Sequence, residues 1–255
     1  MMKSMPMILA IVLLFAAVGG CGSDSKGTLY VYCDQVIQPA IEKIVEEFQA
    51  KSGYQVELIL DPEDRVFRRM KLSEHADLYI SMVPSLVDRT ISLGRSKKAV
   101  PICYMVPVMM TASLNPNGMD SIDDFKKADT RFGLCDEDTI LGDTSKRILE
   151  KNDFPWKDAY PLLHLPARDE ETLISSIHDC VINVAIVWGV TAQHADRVEV
   201  VKIPKRENVR LPIFALELTK SKHPEATAEL VKFMKSPAAN KIWKENGMDP
   251  YNGKE

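Results

Sequence analysis

Residues 28–60, "TLYVYCDQVIQPAIEKIVEEFQAKSGYQVELIL", set the architecture. "TLYVY" (28–32) has the composition of a buried strand. The next segment carries Pro39 near its first turn and places Ile41, Ile44, Val45 and Phe48 on one helical face. Gly53 suits the helix end, and "QVELIL" (55–60) is a second strand. Working outward, "DPEDRVFRRM" predicts a helix over about 63–73, and "DLYIS" (77–81) a third strand. Strands alternating with helices at this spacing argue for a parallel sheet in an α/β domain.

The pattern then restarts. "YMVPVMMTA" (104–112) and "RFGL" (131–134) are strand candidates. "SIDDFKKA" places a serine ahead of acids and apolar positions, a helix-start signal. Residues 142–152 and 169–178 read as helices, and "VINVAIVW" (181–188) as a buried strand. "VEVVKI" and "LPIFALEL" are further strands, and "HPEATAELVKFMKS" and "PAANKIWKENG" are helices with proline near the start.

The chain opens with Lys3 as its only charge ahead of an apolar run from Met7 to Val18, followed by "VGGC". A basic start, a short greasy core and small residues form a secretory signal. The run is too short to span a membrane comfortably. "VGGC" resembles a bacterial lipobox, so residues 1–21 are expected to act as a lipoprotein signal. Cys21 is the expected lipidation site, and residues 22–27 a flexible tether. Localisation is then extracytoplasmic, periplasmic or at the cell surface, with the membrane reached through the lipid. Loss of Lys3 leaves a mature charge of 31 − 36 = −5, and no basic stripe marks a nucleic-acid partner. Cys33, Cys103, Cys135 and Cys180 have no zinc-finger spacing; two disulfides or free thiols both fit. His75, His164, His178, His194 and His223 show no short metal-ligand spacing. The sequence has no GxSxG, HExxH, Walker loop or GxGxxG. No catalytic residue, resident metal or cofactor is expected.

The order of segments, "LYVYCDQVIQPAIEKIVEEFQAKSGYQVEL", "ADLYISM", "YMVPVMMTASLNPNGMDSIDDF", "NVAIVWGVTA" and "ATAELVKFMKSPAANKIWKENG", resembles the molybdate/tungstate-type substrate-binding proteins of ABC importers. The resemblance covers nearly all of residues 28–248. It implies the α/β two-lobed periplasmic-binding-protein fold with two crossing hinge strands: lobe one from 28–100 and 212–255, lobe two from 101–211. A monomer would trap a small solute, molybdate or tungstate by preference, and deliver it to an ABC permease. Open α/β sheets meet ligands at the carboxyl ends of their strands, here the turns after Tyr32, Leu60, Leu134 and Val187.

In that family backbone N–H groups and short hydroxyl side chains hold the oxyanion at these turns. The matching segments are "CDQV" (33–36), "DPED" (61–64), "CDEDTILG" (135–142) and "VWG" (187–189). The resemblance thus implies ligand contacts from Cys33, Asp34, Asp61, Glu63, Asp64, Asp136, Thr139 and Trp188. The family serine of the second turn falls near Glu63. Two readings of the acids stand side by side. They are solvated acids at helix starts, which stabilise helices by a few tenths to about 1 kcal/mol. Alternatively the ligand has changed: carboxylates suit hard cations, and Cys33 and Cys135 soft ones. A sensor or an enzyme on the same scaffold is the opposing class. Cys33 and Cys135 are expected to face the cleft, and Cys180 to lie at the opposite end.

Overall fold

The computed structural model describes residues 26–253; the signal and Cys21 lie outside them. In chain order the elements are β1 Thr28–Asp34, α1 Gln38–Ser52, β2 Gln55–Asp61, α2 Glu63–Leu72, β3 Leu78–Ser81, α3 Pro84–Ser92, β4 Val100–Met105 and β5 Pro107–Ala112. They continue as β6 Phe132–Cys135, α4 Ile140–Lys151, α5 Trp156–Ala159, β7 Leu165–Ala167, α6 Glu170–His178, β8 Val184–Trp188 and α7 Gly189–His194. The last are β9 Val198–Val201, β10 Leu211–Glu217, α8 Pro224–Phe233, α9 Pro237–Glu245 and β11 Asp249–Pro250.

Two mixed sheets build two lobes. The first runs β11-β4-β10-β3-β1-β2, with β1 parallel to both β2 and β3. The second runs β7-β6-β8-β5-β9, with β6 parallel to β7 and β8. The segments on either side of β1 behave as their periodicity predicts. Ala40, Ile41, Ile44, Val45 and Phe48 are the buried face of α1, and Gly53 ends it at φ +77°. The serine ahead of "IDDF" forms a capping box with Asp124, over a short 3-10 turn rather than a full helix.

One expected strand divides. The run 104–112 splits between β4, which pairs with β10 in the first sheet, and β5, which pairs with β8 in the second. Both halves are buried and apolar, so hydrophobicity gives no sign of the break. Pro107 opens β5, where a missing N–H is tolerated. The first sheet therefore keeps residues 100–105, and the first crossing falls at Val106, five residues beyond the boundary expected from sequence. The return crossing lies between β9 and β10, and β10 already pairs in the first sheet from Leu211.

The lobes meet backbone to backbone beside the crossings. Gly189 N–H donates to the Val106 carbonyl at 2.7 Å. A Cβ on Gly189 would lie 2.4 Å from the Gly247 carbonyl oxygen, and one on Gly247 would lie 2.3 Å from that of Gly189. Gly247 also holds φ +73°, a left-handed conformation that strains other residues. Next to it Asn246 is fully buried, and its Oδ1 faces Lys43 Nζ at 3.3 Å and His194 Nε2 at 3.0 Å. Gly247→Ala is expected to destabilise by about 2 kcal/mol or more, read as a lowered urea midpoint. An unchanged midpoint would show that this contact yields freely.

Candidate functional site

The carboxyl ends of β1, β2 and β3 face those of β6 and β8 across a cavity of about 230 Å³. The first lobe contributes Asp34, Glu63 and Val83, and the second Thr139, Glu170 and Trp188. Such a volume is at the small end of ligand sites.

Asp34 ends β1 and starts the following 3-10 turn. Its Oδ1 accepts the Val36 N–H at 2.8 Å, and its Oδ2 accepts the Glu63 N–H at 3.0 Å. A single carboxylate thus answers the amides of two cleft turns. Glu63 opens α2, and its Oε1 accepts the hydroxyl proton of Tyr79 on β3. Its Oε2 is buried and meets no hydrogen-bond partner among the described residues. On the other wall, Glu170 at the start of α6 accepts the Trp188 N–H at 2.7 Å and the Thr191 hydroxyl at 3.0 Å. The Thr139 hydroxyl accepts from Gly142 N at 3.0 Å and donates to the Asp136 carbonyl at 2.7 Å, capping α4.

The structure therefore gathers Asp34, Glu63, Thr139 and Trp188, with Cys135, and leaves the other candidates elsewhere. Cys33 does not face the cleft. Strand alternation groups it with Leu29 and Val31 in the core, and it is fully buried. Asp61 pairs with Arg65 at 3.5 Å and Arg69 at 3.2 Å. Asp64 points to solvent, 3.9 Å from Arg68. Asp64 is a solvated acid of the α2 start, Asp61 at the end of β2 is largely covered by its arginines, and Glu63 turns inward. Asp136 is held by Arg168 at 2.9 Å, beside an adjoining cavity in the second lobe. Arg168 also binds Asp138 at 2.9 Å. Cys33, Cys103, Cys135 and Cys180 are all free thiols, and Cys180 precedes β8 at the end remote from the cleft. Glu170 was not singled out in the sequence. It is one of several acids in "RDEET", and an acid in a first helical turn is commonplace, so its inward position had no distinguishing signal.

The bacterial extracellular solute-binding protein model matches residues 29–249. The chain belongs to that family. A Haemophilus influenzae protein described as a binding protein is 22% identical over 237 residues, covering 89% of this chain and 93% of its own. The substrate-binding domain from Clostridium difficile described as that of a molybdenum ABC transporter superposes with TM-score 0.79 at 14% identity, covering 89% of this chain and all of that one. Iron-bound HitA from Pseudomonas aeruginosa gives TM-score 0.67 at 15% identity, covering 89% of this chain and 88% of its own. At these identities the two structures establish a shared two-lobed fold.

The cleft of this solute-binding protein is strongly acidic. Burial pushes Glu63 up to about 7, with the Tyr79 and Ser81 hydroxyls pulling the other way and Asp34 and Asp64 reinforcing the rise. Burial likewise lifts Glu170 to about 7, against the Trp188 amide and Thr191 hydroxyl. Asp34 is raised by burial in spite of its two amide donors. Burial and the nearby Glu170, Asp169 and Asp136 push the Cys135 thiol up to about 12, so it is protonated at neutral pH and a poor soft-metal ligand as it stands. Among the described residues, no three His, Cys, Asp or Glu groups stand close enough together to hold a metal ion. No helix among the described residues is long and apolar enough to cross a membrane.

The raised glutamates set a pH dependence with a definite sign. Glu63 keeps its proton in the folded chain up to about pH 7, whereas an unfolded glutamate releases it near about 4.3. Between these values the folded state binds more protons, so stability falls as pH rises. Glu63→Gln removes that ionisation. Its melting temperature relative to wild type is expected to be higher at pH 8 than at pH 4.5. The difference corresponds to at most about 3 kcal/mol at 1.36 per pKa unit. Parallel melting temperatures of the two proteins across that range would refute the assignment.

Proposed function

We propose that this chain is the extracytoplasmic receptor of an ABC importer. It is held at the membrane through a lipid on Cys21, closes its two lobes on a small solute and presents the closed form to the permease. Family membership supports the reading, and one observation carries it. A small cavity lies between the carboxyl ends of two sheets, walled by Asp34 and Glu63 on one side and by Glu170 and Trp188 on the other. Lobes joined by two crossings suit hinged closure. We assign 28–105 and 211–253 to the first lobe and 107–201 to the second, with the crossings between them. The chain acts as a monomer, by binding and release rather than by catalysis.

The likeness to the domain described as part of a molybdenum transporter supports molybdate or tungstate as solute. That solute would have to draw the Val36, Glu63 and Trp188 amides away from Asp34 and Glu170. Beside an ionised Glu63, a dianion at about 4 Å meets roughly 8 kcal/mol of repulsion at an effective dielectric of about 20. On the oxyanion reading Glu63→Ser therefore tightens molybdate binding tenfold or more, as measured by calorimetry. If molybdate affinity is unchanged by this substitution, Glu63 is not part of the anion's surroundings.

The anchor has its own test. Mass spectrometry of the native N-terminus is expected to find a lipidated Cys21 as the first residue. An intact Met1, or an unlipidated start beyond Cys21, removes the anchor from the proposal.

A further inference from the structure

Resting on the Cys21 anchor proposed above, we infer that the end of the first lobe remote from the cleft is a docking surface for anionic phospholipid in the bilayer that holds the anchor. The topology builds this surface. The cleft lies at the carboxyl end of β1, so the chain enters at the opposite end, where the Lys26 N–H donates to the Gly53 carbonyl at 3.1 Å just past α1. Helix α1 runs back from the cleft and brings Lys51 to the same end. Strand β10 is antiparallel to β3, with Glu217 level with Leu78, so Lys220 and Lys222 emerge there. Strand β4 is antiparallel to β10 in turn, and the Thr219 N–H donates to the Arg95 carbonyl at 2.8 Å, which sets Lys97 and Lys98 beside them. Lys232 of α8 joins Lys51 and Lys98 around one groove. All six lysines are exposed. Among the described residues only Lys51 of the six meets a carboxylate, that of Glu47 at 3.0 Å. They come from four separate segments, so no basic run in the sequence announces them.

The groove is the second observation. It encloses about 840 Å³ over a floor of Phe48, Val100, Val231 and Phe233. Its lining sets Lys51, Lys98, Lys232 and Lys235 against Glu217 and Glu229, an excess of positive charge in a chain whose mature charge is −5. Lys51 Nζ lies 4.7 Å from the centre of the Phe233 ring. A lysine whose stem covers apolar surface while its head reaches outward suits a lipid interface. A phospholipid offers a phosphate to such a rim and ester and acyl carbon to such a floor. The tether is the third observation. Cys21 precedes Lys26 by five residues, at most about 18 Å of extended chain. The attraction of anionic lipid for lysine fades over about 8 Å at physiological salt, and a lipid on Cys21 lets these side chains come within that range. With this end on the bilayer, the cleft at the far end of β1 stands away from it.

The experiment is amine labelling of the native lipidated protein on vesicles, with each lysine read by mass spectrometry. The vesicles are phosphatidylcholine alone or phosphatidylcholine mixed with phosphatidylglycerol. On the mixed vesicles Lys97, Lys98, Lys222 and Lys232 are expected to react about fivefold more slowly or less than on phosphatidylcholine. Lys157 and Lys205 of the second lobe are expected to react alike on both, and half-molar salt to abolish the protection. A variant carrying Lys97→Glu, Lys98→Glu and Lys222→Glu is expected to float with either vesicle and to lose the protection of Lys232. Melting curves confirm that it folds, and glutamine at the same three positions replaces glutamate if it does not. Equal labelling on the two vesicle types overturns the inference and leaves the anchor standing. So does protection that survives salt or the substitutions, or that falls on Lys157 and Lys205 instead. Flotation with the mixed vesicles alone, reversed by salt, supports the surface and removes the anchor. Flotation with neither overturns both.

Discussion

The carboxylate of Asp34 is the constraint on which the cleft depends. It ends β1, which lies between β3 and the edge strand β2 in the first sheet, caps the turn that leads into α1, and holds the first amide of α2. Removing it would free two amides at once and loosen two of the turns that wall the cavity. Because β1 and β2 are parallel and Asp34 lies level with Asp61 in their register, the cap also fixes how far α2 projects toward the second lobe. Glu63, one residue into that helix, is thereby carried to the cavity wall, where Tyr79 meets it. The acidity of the site and the geometry of the site thus have one origin.

The second lobe repeats the logic with different parts. Glu170 starts α6 and reaches across to the last residue of β8 and to α7. It ties a helix start to the neighbouring strand end, as Asp34 does. Each lobe therefore arrives at the cleft already cross-braced. In such a site the side chains that meet the solute are held before it arrives, so little rotamer freedom is left to lose on binding. Selectivity then rests on charge and on donor–acceptor matching rather than on rearrangement.

Much of this was legible in the sequence, for identifiable reasons. The β1–α1–β2 unit announced itself through the helical spacing of Ile41, Ile44, Val45 and Phe48 and through Gly53. The cleft turns followed from the rule that strand carboxyl ends gather ligands. The division of 104–112 between two sheets was not legible, because strands buried on both faces look alike whichever sheet they join. Cys33 was placed in the cleft by proximity to the turn, yet strand alternation sends it into the core with Val31. Of the acids in this turn, Asp64 takes the solvated role beside Arg68, and Asp61 is covered by Arg65 and Arg69 farther along the helix. Glu63 turned inward because of Tyr79, a partner sixteen residues away that no local pattern connects to it. Glu170 was hidden for the same reason: its partners Trp188 and Thr191 lie in two other elements, β8 and α7.

The contact between Gly189 and Gly247 has a consequence for how such proteins diversify. The two glycines touch there main chain to main chain, and beside them Asn246 meets His194. Such a contact depends on both glycines and on the Asn246 contacts beside them. Of the cleft walls, Trp188 adjoins Gly189, whereas Asp34, Glu63 and Glu170 lie nineteen or more positions from either glycine and can change without touching this contact. Mechanics and recognition meet only at the Trp188–Gly189 step. One framework at about 14–15% identity can be found in a domain described as part of a molybdenum transporter and in an iron-bound protein.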